Sequence, residues 1–225
     1  MSSWTLVDTA QIPGTGGELQ LFRRDAEFSI SVDGVGVLMS TWAHGSEDAL
    51  AELACRRIAG RYNPRVLIGG LGMGFTLAAA LRRLGADAQV EVAELVPAVV
   101  AWNRGDLGAH AGHPLRDART TVREGDVAKI LKNTRQAYDA ILLDVDNGPE
   151  GFTRKKNNWL YTTDGLTASY RALRPEGVLA IWSAGPSRDF TALLQKIGFR
   201  MRQRRVHEHG NEGSLHTIWL AERGP

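Results

Sequence analysis

Apolar positions recur along this chain at two different periods, and the place where one gives way to the other divides it. In the first forty residues, ELQLFRR, EFSISV and VGVLMS alternate apolar and polar side chains and are separated by Arg24-Asp25 and Asp33-Gly34. Short alternating runs with turn residues between them predict a β-hairpin region. From Ser46 the spacing becomes helical: Leu50, Leu53, Ala54 and Ile58 share a face, with Arg56, Arg57 and Arg61 off it. Ser46 is the expected N-cap, with Glu47 and Asp48 in the first turn. After Pro64, short apolar strands alternate with amphipathic helices. The strands are RVLIGG, QVEVAEL, TTVREG, YDAILLDV and GVLAIWSA; the helices are Phe75 to Leu84, Pro97 to Arg104, Val127 to Lys132, Asp164 to Leu173 and Arg188 to Ile197. Near-continuous apolar strands belong to a parallel sheet covered on both faces, so the fold expected is α/β, a Rossmann-like, doubly wound, mostly parallel sheet. The last strands, GFRMRQRRV and LHTIWLAE, are joined by HEHGNEGS, too short for a helical crossover, and should pair antiparallel at one edge. The expected organisation is a β-hairpin region over residues 1–45 followed by one sheet domain over residues 46–225.

Composition narrows the classes. Of 225 residues 43% are hydrophobic and 23% charged, too apolar for disorder, yet charges recur too often for a run of about 20 apolar residues to cross a bilayer. Lys and Arg number 27 against 25 Asp and Glu, and this balance argues against a protein built mainly to hold nucleic acid. The one cysteine, Cys55, excludes an intramolecular disulfide framework and a Cys-rich zinc module, and it reads as a small core residue. The opening MSSWTLVDTA lacks the layout of a signal peptide, so a cytoplasmic setting is expected. The six histidines show no metal-ligand spacing and no metal is expected; Arg200, Arg202, Arg204 and Arg205 read as a solvated strand face. Glycine is in excess, 25 residues or about 11% against an average near 7%, which raises the question of where it is concentrated.

The concentration lies in RVLIGGLGMGFTLAAAL, where Gly69, Gly70, Gly72 and Gly74 fall between the first parallel strand and its helix. Open α/β sheets bind ligands there, and glycine permits both close approach and positive φ. A dinucleotide fingerprint would place Gly or Ala where Phe75 stands, and a P-loop would need Lys-Ser/Thr; G-x-G-x-G suits a nucleoside with a short tail. Glu94 ends the second strand, where a carboxylate can accept hydrogen bonds from both ribose hydroxyls. Asp126, in REGD, is placed to cap the next helix and to accept from an adenine amino group, if its two oxygens divide the work. The fourth strand ends in Asp144, Asp146 and, slightly beyond, Glu150. Carboxylates so close together suit binding a protonated amine or removing its proton as it attacks an electrophile. Trp159 and Tyr161 follow and either wall a substrate pocket or pack in the core; Trp182 and Trp219 read as core.

Taken together, VLIGGLGMG, VAELVPAVV, REGD and YDAILLDVDNGPEG resemble the spermidine-synthase-like group of class I S-adenosylmethionine-dependent transferases, with elements in the same order from Glu18 to Glu222. The resemblance implies a cosubstrate held by Gly70, Gly72, Gly74, Glu94 and Asp126. It implies Asp144 as the catalytic carboxylate, seconded by Asp146, and a substrate mouth flanked by His44 and Glu47, with Glu150, Trp159 and Tyr161 also near the substrate. The β-hairpins before the sheet agree with that family. Two departures stand out. The family's GGGDGG loop carries an acid for the amine tail of decarboxylated S-adenosylmethionine where this chain has Met73, which favours intact S-adenosylmethionine. The segment after Asp144 is two residues shorter and is followed by the basic FTRKKNNWLY.

The expected activity is transfer of an aminopropyl group to a small amine, from decarboxylated S-adenosylmethionine or S-adenosylmethionine. Methyl transfer to a small molecule and an inert nucleoside-binding homologue are the alternatives. A nicotinamide oxidoreductase is disfavoured by Phe75. No membrane or nucleic-acid partner is expected, and a homodimer is compatible with this reading.

Overall fold

The computed structural model describes residues 2–14, 16–145, 157–210 and 212–225. In chain order its elements are β1 (Thr5–Gln11), β2 (Glu18–Arg24), β3 (Glu27–Val32), β4 (Gly36–Ser40), α1 (Gly45–Arg57), β5 (Arg65–Gly69), α2 (Phe75–Arg83), β6 (Gln89–Glu94) and α3 (Pro97–Arg104). They continue as β7 (Thr120–Glu124), α4 (Val127–Lys132), β8 (Tyr138–Leu143), α5 (Thr163–Ala172), β9 (Leu173–Ser183), α6 (Arg188–Ile197), β10 (Arg200–His209) and β11 (Glu212–Glu222). The first four strands form an antiparallel sheet in sequential order, and the rest form a seven-stranded sheet ordered β10-β11-β9-β8-β5-β6-β7. Strands β5 to β9 are parallel, whereas β11 runs antiparallel to both β9 and β10. The Rossmann-like α/β reading and its antiparallel edge hairpin therefore hold. Among the described residues no helix is long and apolar enough to cross a membrane.

Alternation along the central strands builds two cores. Val66, Ile68, Ala140, Leu142, Val178 and Ala180 face one side with Leu50, Leu77 and Val100 of α1 to α3. Leu67, Ile141, Leu143, Leu179 and Ile181 face the other with Leu131, Leu166 and Leu194 of α4 to α6. Because successive side chains of a strand point to opposite faces, a strand covered on both must be apolar throughout, which is why these runs lack polar interruptions. The first core continues into the antiparallel sheet through Leu19, Leu21, Phe28 and Ile30, so that sheet is packed onto the first face.

Helix starts follow local chemistry. Asp126 Oδ1 accepts from Ala128 N at 2.8 Å, Thr162 Oγ1 from Gly165 N at 3.3 Å, and Ser187 Oγ from Phe190 N at 3.3 Å. The start of α1 departs from expectation. Its N-cap position is His44, and the Ser46 hydroxyl instead donates to Glu47 Oε2 at 2.6 Å. Two strands also differ. β1 adds a fourth strand to the antiparallel sheet, and β9 begins at Leu173, four residues before GVLAIWSA. At the end of the sheet where β8 begins, Asp139 is buried between Arg61 (2.6 Å) and Arg174 (2.9 Å) and accepts from Arg65 N at 2.8 Å.

Candidate active site

The strand order reverses between β5 and β8, and the loop after β5 lies at that reversal. Such a switch point opens a crevice beyond the carboxyl ends of the strands. Gly70 N donates to Ala93 O and Asp144 N to Gly69 O, both at 2.9 Å, so the loop is tied to β6 on one side and β8 on the other. Gly70 has φ of +91°, and a Cβ there would collide with the Asp144 carbonyl oxygen. Its glycine is therefore required by the protein's own backbone as well as by any ligand. Gly72 and Gly74 also have positive φ. Two side chains hold the loop. Glu94 Oε2 accepts from Leu71 N and its Oε1 from Val96 N, each at 2.9 Å. Asn103, buried on α3, donates to the carbonyls of Gly72 at 2.8 Å and Val99 at 2.9 Å.

The crevice is a cavity of about 340 Å³, inside the range of small-molecule sites. One wall is the glycine loop with Glu94, Leu95, Val96, Gly125 and Asp126; the facing wall, from the antiparallel sheet, is apolar and includes Ile12, Leu38 and Met39. Four carboxylates line it, those of Glu47, Glu94, Asp126 and Asp144, and among the described residues no Lys, Arg or His does. Glu94 uses both oxygens on backbone N–H groups, and a carboxylate oxygen can accept more than one hydrogen bond. Asp126 likewise commits Oδ1 to its helix cap.

Two of these acids interact. The Thr76 hydroxyl, on the first turn of α2, donates to Asp144 Oδ2 at 2.6 Å. Burial raises the Asp144 carboxyl above its ordinary range, and the Thr76 hydrogen bond opposes that rise. Glu47 is raised as well, first by burial and then by the charge of Asp144. The repulsion is mutual whichever acid holds the proton, so near neutrality the pair carries less than its full charge of two and can accept a proton. That is the behaviour required of a general base beside a cationic nucleophile.

The remaining candidates lie elsewhere. His44 stacks on Phe75 at 3.9 Å and bonds Asp48 at 2.9 Å, which raises its pKa; it backs the cavity wall without lining it. Trp159 and Tyr161 do not wall the described cavity. Tyr161 packs into the second core and donates its hydroxyl to Val145 O at 3.0 Å, and Trp159 lies beneath the Lys132 ammonium at 4.3 Å. Asp146 and Glu150 lie outside the described residues. Trp182, expected in the core, packs against the first core and also lines the cavity. Thr76, Asn103 and Met39 also enter the site without having been singled out; Asn103 alone had a sequence signal, a polar residue within the apolar run PAVVAWNR.

Residues 50–189, more than half of the chain, match the Spermine/spermidine synthase domain. The chain belongs to this family. Similar curated proteins are the polyamine aminopropyltransferases of Sulfolobus acidocaldarius, 29% identical over 122 residues, and of Oceanobacillus iheyensis, 27% identical over 165 residues. These matches cover 54% and 72% of this chain but only 39% and 31% of those proteins. A solved spermidine synthase in complex with the transition state analogue AdoDATO superimposes with a TM-score of 0.74 at 19% identity, over 97% of this chain and 72% of that one. Its fold is thus the fold of this spermine/spermidine synthase family member.

Proposed function

We propose that this protein is an aminopropyltransferase that moves the aminopropyl group of decarboxylated S-adenosylmethionine to an amine. The reading is carried by the charge of the cavity, four carboxylates with no Lys, Arg or His among the described lining residues. A ligand bearing a sulfonium and an ammonium is attracted there, whereas the carboxylate of intact S-adenosylmethionine would meet like charge with no counter-ion among the described lining residues. Met73 favours intact S-adenosylmethionine only if the missing acid were the main negative charge near the tail, and Glu47 and Asp144 line the same cavity. The names of the relatives and of the structural neighbour support the same reaction.

In the reaction we infer, Glu94 and the loop of Gly70, Gly72 and Gly74 hold the ribose side and Asp126 the adenine. The amine nitrogen attacks the methylene carbon bonded to the sulfonium; the C–N bond forms as the C–S bond breaks, and the electron pair returns to sulfur as a neutral thioether. Asp144 takes the proton from nitrogen. The sulfonium is already a good leaving group, so the protein supplies alignment and a base. Residues 1–45 act as the apolar wall and residues 46–225 as the nucleoside-binding domain. A reducing, cytoplasmic compartment accords with Cys55, whose buried thiol is pushed up to about 12.

Calorimetric titration tests the donor. Decarboxylated S-adenosylmethionine is expected to bind at least about tenfold more tightly than S-adenosylmethionine, a difference of about 1.4 kcal/mol; equal or reversed affinities refute the assignment. Asp144→Asn is expected to abolish turnover, since it removes the base and keeps the shape, and to weaken the donor Kd by only about threefold to tenfold, since one of four cavity charges is lost.

A further inference from the structure

We infer that Asp8 is a positioning residue for the nucleoside: through its hydrogen bond to Trp102 it holds the apolar wall of the cavity in place opposite the glycine loop. The role assigned to Asp8 rests on the nucleoside-binding part of the reading above and adds a residue far from the reacting atoms. β1 carries a bulge. Leu6 faces Phe22 of β2 but Asp8 faces Leu21, so Val7 is one residue too many for the ladder. In an unbroken register Val7 would face Leu21, and Asp8 would face Gln20 on the other side of the sheet. Leu21 belongs to the first core, so the bulge turns an acid toward the core and leaves Val7 52% exposed. Burial of apolar surface alone would select the reverse. The acid has a specific partner on that side: the buried indole of Trp102, on α3, donates from Nε1 to Asp8 Oδ2 at 2.7 Å.

Both walls of the cavity lead away from this contact. Along β1 the inner row runs from Asp8 through Ala10, packed on the first core, to Ile12, which lines the cavity. Ile12 N donates to Gly17 O at 2.7 Å, and Gly17 lines the cavity too. On α3 the residue after Trp102 is Asn103, whose amide donates to Gly72 O of the glycine loop at 2.8 Å, and Val99 of the same helix lines the cavity. Neighbouring residues of one short helix therefore carry the antiparallel sheet and the loop, and loosening the first contact changes the space between the two walls. A further polar contact between that sheet and the segment after α3, Arg23 to Asp106 at 3.7 Å, is exposed on both sides, and such pairs hold little. An indole N–H on a carboxylate is a charge-assisted and directional bond.

The experiment is calorimetric titration of the full chain with methylthioadenosine and with decarboxylated S-adenosylmethionine, beside urea midpoints on the same samples. At a temperature where the chain stays folded, Asp8→Ala is expected to weaken both ligands by about tenfold, and Asp8→Asn, which keeps an acceptor oxygen, by no more than about threefold. Trp102→Phe, which keeps a ring and removes the N–H, should match Asp8→Ala. The double variant should lose no more than either single one, because both remove the same contact. If Trp102→Phe fails to fold, the two Asp8 variants decide alone, since Asp8 lies on an exposed edge strand. Affinities in Asp8→Ala within about twofold of wild type, whatever its urea midpoint, overturn the inference. So do losses in Asp8→Asn as large as those in Asp8→Ala, or losses that add in the double variant. Methylthioadenosine has no aminopropyl group, so its affinity reports on the wall separately from the donor. A wild type that binds it but not decarboxylated S-adenosylmethionine refutes the aminopropyl-transfer reading, and the Asp8 variants then decide the inference on methylthioadenosine. A wild type that binds neither overturns both.

Discussion

At the scale of single residues, the chemistry turns on how the Asp144 proton is held. Its position at the end of an apolar strand was legible in YDAILLDV, as were Glu94 after QVEVAE and Asp126 in REGD, because each polar residue interrupts a run whose direction the pattern dictates. Thr76 was not legible, since it meets Asp144 across 68 positions of sequence and nothing local marks it. Its effect is nevertheless measurable. Asp144 acts as a base only when ionised, so activity falls as pH drops through the range of the raised pair, about 6 for Asp144 and about 7 for Glu47. Thr76→Val removes a hydrogen bond to the charged form, which raises the pKa further. Such a bond is worth about 1.5–3 kcal/mol, so the acid limb of kcat/KM should move up by about one to two pH units. Glu47, the higher of the two, is largely protonated while Asp144 titrates, so Glu47→Gln should leave the limb within about half a pH unit of wild type. A limb that stays in place in Thr76→Val would mean that Asp144 is not the group being titrated.

Among the elements, those whose ends carry their own chemistry were read most closely. Pro97 opens α3, Asp126 caps α4, and Ser187 and Gly198 bound α6, whose limits match the sequence pattern residue for residue. β1 was missed because its residues are almost all exposed, so TLVDTAQ shows no buried alternation to read. The start of β9 was missed because Arg174-Pro175-Glu176 looks like a turn; Glu176 does adopt a positive φ there while the strand continues through it. The glycine loop was legible as an element, but half of its reason was not. Sequence pointed to ligand approach, whereas Gly70 is also pressed against the backbone of Asp144. Gly70→Ala should therefore damage the strand ends themselves. The expected result is loss of donor binding together with a destabilisation of at least about 1–3 kcal/mol, read from urea midpoints and calorimetry on the same sample. Gly16→Ala, also at positive φ but with open space around its Cβ, is the control for backbone strain alone. Equal losses in both variants would remove the case for a tight approach at Gly70.

Over the whole molecule, the two ends of the seven-stranded sheet have separate tasks. The carboxyl ends of the strands open into the acidic cavity, while the amino ends are fastened by Asp139, whose side chain is 3% exposed and joins the segment between α1 and β5, β5 itself and β9 through Arg61, Arg65 and Arg174. This fastening joins residues 61, 65, 139 and 174, so it was hidden from a reading that follows the chain locally. Its partners are less buried than it is, at 25% for Arg61 and 36% for Arg174, and both can recover hydration if the carboxylate is lost. Arg65 N would lose its acceptor. Asp139→Ala should thus fall near the lower end of the about 3–5 kcal/mol typical for breaking a buried ion pair. Asp139→Asn, which keeps one acceptor oxygen, should cost about 1–2 kcal/mol. Because strands β5 and β8 run rigidly from this end to the cavity, stability and binding are expected to separate. Urea unfolding should report the loss, and calorimetry at a temperature where both variants remain folded should give donor affinities within about threefold of wild type. A tenfold loss of affinity in Asp139→Asn at little cost in stability would show the opposite, that the buried pair at one end of the sheet sets the geometry of the acids at the other.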